Sequence, residues 1–187
     1  MNDILYDRLI YLLEKNEIIS LYSNEDSENF CVGYILKINR DYILMQHISP
    51  NGKYDGYIFK KTSDIYRVGY DESYTKKIEK LYDLECCKHE DIVIDSEDIL
   101  VSFLKIASKK RWIVALELNQ SCLYDVQGFV LEVDKKNIVI QEISDDGKYD
   151  GITYLDLQCI TSGEGDTEEG QSIKLLVEEQ AHNTDKR

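Results

Sequence analysis

Two nearly identical segments constrain this chain more than any other feature of its sequence. ISPNGKYDG at residues 48–56 returns as ISDDGKYDG at residues 143–151, an offset of 95 positions. The same offset carries Gly33 onto Gly128, and apolar positions match apolar positions along both halves. Solenoid repeats are usually about 20–50 residues long, so this longer period predicts two duplicated domains.

The duplication sets the predicted domain limits. We expect a first unit at residues 1–88, a second unit at residues 96–180, and a flexible tail at residues 181–187. A chain of 187 residues suffices for two small domains.

Each unit shows the same order of predicted elements. Apolar residues at helical spacing predict a leading helix, and period-2 alternation predicts strands after it. The helices are predicted at residues 3–15, 73–84, 97–107 and 171–180. The strands are predicted at residues 18–22, 31–39, 42–48, 55–60 and 65–68, and at 112–118, 128–133, 138–143, 150–155 and 159–160. Polar loops are predicted at residues 23–29 and, in the acidic GEGDTEEG segment, at residues 163–170.

The order of helix, then five short strands with a glycine that allows a sharp bend, predicts a small closed β-barrel. The line G-x-(I/V)-L-x-(I/V), then I-S-x-x-G-x-x-D-G, resembles the Sm-like class of SH3-like barrels. We therefore expect a mainly β, α+β fold: two tandem five-stranded barrels, each preceded and followed by a helix. The resemblance implies RNA binding through loop residues, here Arg40, Lys60, Lys61, Lys135 and Lys136.

The net charge of −14 argues for a different partner. It is shared between the halves, at −6 for residues 1–95 and −8 for residues 96–187. Binding to nucleic acid usually needs a basic footprint, which the chain as a whole lacks. An acidic surface instead favours solubility and attraction to a basic protein.

Tyrosine is the other compositional signal, with 14 copies that fall mostly in the first unit. Tyrosine is enriched at interfaces because it buries a large ring and keeps a polar tip. The duplicated GKYDG is expected chiefly to form a hairpin turn in which Gly52 and Gly147 adopt a positive φ. The candidate binding residues are Lys53, Tyr54, Asp55, Lys148, Tyr149, Asp150, Tyr66, Tyr70 and Tyr74.

The sequence contains no recognisable catalytic motif. The three histidines and five cysteines have no metal-ligand spacing. We therefore expect no catalytic residues, no metal and no cofactor. The N-terminal segment is interrupted by charges and does not resemble a signal peptide, and no apolar run reaches the length of a membrane span, so a cytoplasmic protein with reduced cysteines is expected.

These observations predict a non-enzymatic protein that binds another protein, one with a basic surface, as a monomer or small homo-oligomer. Nuclease inhibitors and toxin-immunity proteins offer an analogy of charge and size. RNA binding by a degenerate Sm-like tandem is the alternative, and an enzyme or ligand sensor with a pocket between the barrels is a third hypothesis.

Overall fold

The structure, a computed structural model, describes residues 3–23 and 30–184. The chain divides into two compact units, Met1–Leu100 and Val101–Arg187. The predicted domain limits at residues 88, 96 and 180 stay predictions.

Both units are built from antiparallel strands with flanking helices. The first set of elements is α1 (Asp3–Lys15), β1 (Ile18–Ser23), β2 (Cys31–Ile38), β3 (Tyr42–Ile48), β4 (Tyr54–Lys61), β5 (Ile65–Tyr70) and α2 (Ser73–Leu84). The second set is α3 (Ile99–Lys110), β6 (Ile113–Leu118), β7 (Val126–Val133), β8 (Asn137–Ile143), β9 (Tyr149–Asp156), β10 (Ile160–Gly165) and α4 (Glu168–Thr184). A short 3-10 turn joins β4 to β5 and β9 to β10. The chain is thus mainly β with flanking helices, as predicted.

The duplication extends to the strand register. In unit 1, Ile18 of β1 lies opposite Tyr34 of β2, and in unit 2 Ile113 of β6 lies opposite Phe129 of β7. The β2–β3 and β7–β8 ladders each shift register at the same place, after Ile35 and after Val130. Equal offsets in pairing and in bulges confirm that both halves use one plan.

The prediction of closed barrels is not confirmed. Within each unit the strands lie in the order fifth, first, second, third, fourth, so β4 and β5, or β9 and β10 of the second unit, are not neighbours in the order of that unit. The glycines and bulges that curl a strand are local features. Closure depends on the tilt and stagger of all the strands together, which local pattern does not specify.

The repeated glycine is needed because two strand backbones approach each other closely at its position. A Cβ atom on Gly33 would lie 1.8 Å from the carbonyl oxygen of Gln46 on β3. On Gly128 it would lie 2.0 Å from the carbonyl oxygen of Gln141 on β8. Only a residue without a side chain allows this close approach of the two backbones.

The core of unit 1 lies on both faces of its sheet. Leu9 and Leu12 of α1 pack with buried residues of β1–β5, such as Ile43 and Met45. A second cluster joins Ile78 of α2 to the ends of β1, β2 and β3. The cluster of Ile113, Phe129, Ile143 and Ile173 repeats this second cluster in unit 2, under α4.

One prediction near the C-terminus is wrong. The acidic segment at residues 163–170 is not a loop, because Gly163 and Gly165 lie in β10 and pair with β6, while Gly170 lies in α4. The helix predicted at residues 171–180 extends from Glu168 to Thr184, and the flexible tail predicted at residues 181–187 stays a prediction. Pairing of β10 with β6 outweighs the low strand propensity of glycine there.

Candidate functional site

A cluster of aromatic rings marks the surface of unit 1. Tyr22 stacks on Phe30 with ring centroids 4.9 Å apart and lies 6.3 Å from the ring of Tyr66. Phe30 meets Tyr74 edge to face at 5.6 Å. We call Tyr22, Phe30, Tyr66 and Tyr74 the aromatic patch. Its rings come from β1, β5, α2 and the residue before β2, so the sheet and the helix together assemble it.

The aromatic patch remains accessible to solvent. Phe30 is 38% exposed, Tyr66 is 48% exposed and Tyr74 is 38% exposed. The guanidinium of Arg67 lies 4.3 Å above the ring of Tyr22, a cation–π contact. Such rings hold one another in place while they present apolar area to water.

A groove of about 350 Å³ adjoins the patch. Phe30 and Tyr74 belong to both. The remaining lining comes from β2, β3 and the turn after β3: Val32, His47, Ile48 and Pro50. The groove is mainly apolar, and the imidazole of His47, whose Nδ1 lies 3.3 Å from a carboxylate oxygen of Asp55, adds one polar group.

Unit 2 has a cavity of about 210 Å³ at the equivalent place, but its lining differs in chemistry. By the 95-residue offset, Gln127 replaces Val32, and Glu169 replaces Tyr74. The cavity is lined by Ile113, Ala115, Tyr124, Gln127, Asp145, Glu164, Thr167, Glu169 and Gly170. The two copies have therefore diverged at the same position of the fold.

The duplicated GKYDG segments form hairpin turns, as predicted. Gly52 has a φ of 75° and Gly147 a φ of 77°. A Cβ atom on Gly52 would lie 2.2 Å from the Cβ of Leu81, and one on Gly147 would lie 2.6 Å from the Cβ of Leu176. Each turn thus packs against the helix that ends its unit, which gives the repeated sequence a structural role.

The other candidate residues of these turns lie in different environments. Lys53 is exposed, whereas Tyr54 and Asp55 are half-buried. In unit 2 the side chain of Lys148 pairs with Asp146, and Tyr149 is 61% exposed. Asp150 is also exposed. The structure does not bring the candidates of the turns into the aromatic patch.

The candidate tyrosines of β5 and α2, which are Tyr66, Tyr70 and Tyr74, lie in two different places. Tyr66 and Tyr74 belong to the aromatic patch, while Tyr70 lies beside Arg8 of α1, with 5.6 Å between the guanidinium and the ring centroid. The sequence reasoning missed Phe30, His47 and Pro50 as groove residues. Pro50, the single proline of the chain, was the one compositional signal that marked this corner.

The residues predicted to contact RNA are paired or at least half-buried in unit 1, and they are exposed in unit 2. Arg40 lies over the ring of Tyr6 at 4.1 Å and pairs with Asp3 at 3.3 Å. The side chain of Lys60 is buried and Lys61 is half-buried. The remaining two, Lys135 and Lys136, are exposed in the turn between β7 and β8 of unit 2.

Residues 88–90 are fixed onto unit 1 by His89, to which the sequence assigned no role. Its Nε2 donates to the carbonyl of Gly56 at 2.7 Å, and its Nδ1 accepts from the hydroxyl of Tyr82 at 2.7 Å. The hydroxyl of Tyr82 in turn accepts from the backbone N–H of His89 at 3.0 Å. Burial lowers the pKa of His89 from 6.5 to about 4, so the ring is neutral at pH 7.

The described part of the chain contains neither a metal-binding cluster nor a membrane-spanning helix. Residues 3–23 and 30–184 hold no group of three or more His, Cys, Asp or Glu side chains arranged to bind a metal ion. Over the same residues, no helix has the length and apolar character needed to cross a membrane. Comparison with protein-family models, with curated proteins and with solved structures found no match for this chain.

Proposed function

We propose that this chain is a non-enzymatic protein whose unit 1 binds a protein partner through the aromatic patch and its groove. The observation that carries the proposal is the arrangement of Tyr22, Phe30, Tyr66 and Tyr74, which contact one another yet remain partly exposed. Exposed apolar patches of this kind mark interaction sites more often than isolated surface rings do.

The geometry of the patch supports binding at a low entropic cost. Tyrosine and phenylalanine have few rotatable bonds, and each ring of the patch is held by a neighbour. A partner therefore loses little affinity to the ordering of these side chains. The adjoining groove of about 350 Å³ has room for one large apolar side chain of the partner.

The charge of the chain supports a basic partner. A net charge of −14 attracts a cationic protein over long range and raises its association rate at low salt. Arg67 stacked on Tyr22 shows how a guanidinium lies against a ring of this patch. An arginine of the partner can use the remaining ring faces in the same way.

The test compares two matched variants in a pull-down from lysate of the source organism. Tyr74→Ala removes a ring from the groove, and Glu169→Ala alters the equivalent position of unit 2. We expect a discrete basic protein to be captured by the wild type and by Glu169→Ala, with or without nuclease, and recovery to fall by about tenfold or more for Tyr74→Ala.

Two outcomes would contradict the proposal. Equal capture by Tyr74→Ala and the wild type would show that the patch is not the binding surface. Recovery of RNA, or of proteins that disappear after nuclease treatment, would favour the Sm-like alternative. Circular dichroism of both variants checks that each remains folded.

A further inference from the structure

The cavity of unit 2 combines an apolar base with an acidic mouth. Ile113, Ala115 and Gly170 are buried in its lining, whereas Asp145 and Glu169 are exposed. A volume of about 210 Å³ leaves room for one long side chain. The side chain that suits such a site has an apolar stem and a cationic end, because the stem contacts the base while the charge stays near the mouth.

Hydrogen bonds hold two carboxylates of the lining in place. The hydroxyl of Tyr124 donates to the carboxylate of Glu164 at 2.7 Å, and the side-chain amide of Gln127 donates to the carboxylate of Asp145 at 3.2 Å. A carboxylate has several lone pairs, so each of these groups can accept further hydrogen bonds. A guanidinium, which has five N–H donors and no acceptor, fits a lining that is rich in acceptors.

The repeat shows what the equivalent corner of unit 1 contains. By the 95-residue offset, Thr167 of the cavity corresponds to Glu72, and Glu164 corresponds to Gly69. The hydroxyl of Ser20 donates to the Glu72 carboxylate at 2.7 Å, and a Cβ atom on Gly69 would lie 2.5 Å from that carboxylate. A carboxylate therefore lies at this corner of both units, from Glu72 in unit 1 and from Glu164 in unit 2.

Unit 1 supplies a guanidinium to its own carboxylate. Nη2 of Arg67 lies 3.8 Å from Oε1 of Glu72. The residue of unit 2 at the position of Arg67 is Ser162, whose hydroxyl donates to Glu117 at 2.7 Å. None of the described residues that line the unit 2 cavity is a lysine or an arginine. The second copy thus keeps the carboxylate but replaces the arginine that lies beside it in the first copy.

Two more carboxylates distinguish the unit 2 cavity from the groove of unit 1. Asp145 stands where unit 1 has Pro50, and Glu169 stands where unit 1 has Tyr74. Carboxylates that line one cavity repel one another, and a cation between them replaces that repulsion with attraction. The differences between the copies therefore favour a cationic group that comes from another molecule.

We propose that the unit 2 cavity binds an arginine side chain of a basic protein. The methylene stem lies against Ile113 and Ala115, and the guanidinium reaches Asp145, Glu164 and Glu169. Hydrogen bonds between guanidinium and carboxylate are charge-assisted and often bidentate, so they favour arginine over lysine. This site lies in unit 2, and the proposal does not rest on the aromatic patch.

The experiment uses the isotope-labelled full chain and two short peptides at about 0.15 M salt. One peptide has a single arginine among glycine and serine residues. The other has citrulline at that position, a neutral side chain of nearly the same shape. NMR chemical shifts locate and quantify binding. The test variant is Asp145→Asn with Glu169→Gln, and the control is Glu178→Gln with Glu179→Gln, which makes the same change in net charge at exposed positions of α4.

We expect the arginine peptide to shift the amide signals of Ala115 and Gly170 in the wild type and in the control. The citrulline peptide should bind the wild type about tenfold more weakly, and the test variant should bind the arginine peptide about tenfold more weakly. Glu169→Ala alone leaves Asp145 at the mouth, so it should weaken binding by no more than about twofold. Tyr74→Ala should bind the peptide as the wild type does, so failure of the aromatic patch and failure of the cavity are distinguishable.

Four results would overturn the proposal. These are equal weakening by the test and control pairs, equal binding of the two peptides, shifts confined to the aromatic patch, or no binding by the wild type. The first would show only a general attraction of cations to an acidic chain. The third would assign the arginine to the rings of unit 1 instead.

Discussion

The hydrogen bonds that His89 makes with Gly56 and Tyr82 predict how the stability of unit 1 depends on pH. The neutral ring satisfies both of its nitrogens, through Gly56 and Tyr82. Protonation would place a second N–H against a hydroxyl that already accepts from the His89 backbone. A proton therefore binds the folded state less readily than the unfolded state, which agrees with the low pKa of about 4.

The sign and size of the effect follow from linkage. Between pH 6.5 and about 4 the unfolded state carries a proton on His89 and the folded state does not, so stability decreases as the pH decreases through this window. Above pH 6.5 the contribution is complete. The difference of 2.5 pH units between these two values corresponds to at most about 3 kcal/mol. His47 and Asp55 face the ring and also influence its titration.

The assay has two parts. NMR titration of the imidazole should give a midpoint near pH 4 for His89 in the folded protein. Urea unfolding from pH 7 to pH 4.5, followed by circular dichroism, should show a weaker loss of stability for His89→Gln than for the wild type. His182→Gln removes an exposed histidine from α4 and serves as the control. A midpoint near 6.5, or identical pH dependence for His89→Gln and the wild type, would refute the reasoning.

Three further substitutions test the fold. Gly33→Ala or Gly128→Ala should each lower the free energy of unfolding by about 3 kcal/mol, because the new Cβ would overlap a carbonyl oxygen of the neighbouring strand; a loss below about 1 kcal/mol in urea unfolding would contradict the steric argument. Glu117→Gln should cost about 1–2 kcal/mol, because the buried carboxylate accepts from the Cys122 N–H at 2.8 Å and from the Ser162 hydroxyl at 2.7 Å. Unchanged amide exchange at Cys122 would count against it.

The sequence by itself predicted much of the repeated plan. Strand alternation and helix periodicity are local, so they located the elements from α1 to α2 and most of their copies. The positive φ at Gly52 and the close approach at Gly33 were also predictable, because both follow from the lack of a side chain. The coarse class, mainly β with flanking helices, is confirmed.

The aromatic patch was only partly predictable. An excess of tyrosine in the first half pointed to Tyr66 and Tyr74, but nothing in their spacing associated them with Tyr22 or Phe30. These rings meet because β5 pairs with β1, a contact between residues far apart in the chain. The hydrogen bond between His89 and Gly56 is also a contact between distant residues, because Gly56 lies 33 residues earlier.

The contrast between β4 and β9 shows most clearly what tertiary structure decided. Both strands have large apolar residues at the same repeat positions, and their local patterns are alike. Tyr57 is nevertheless fully buried, with its hydroxyl bonded to the carbonyl of Glu90, whereas Tyr154 is mostly exposed. Periodicity determines which face of a strand a side chain occupies. Whether that face is covered depends on contacts between distant segments, and those exist only in the folded chain.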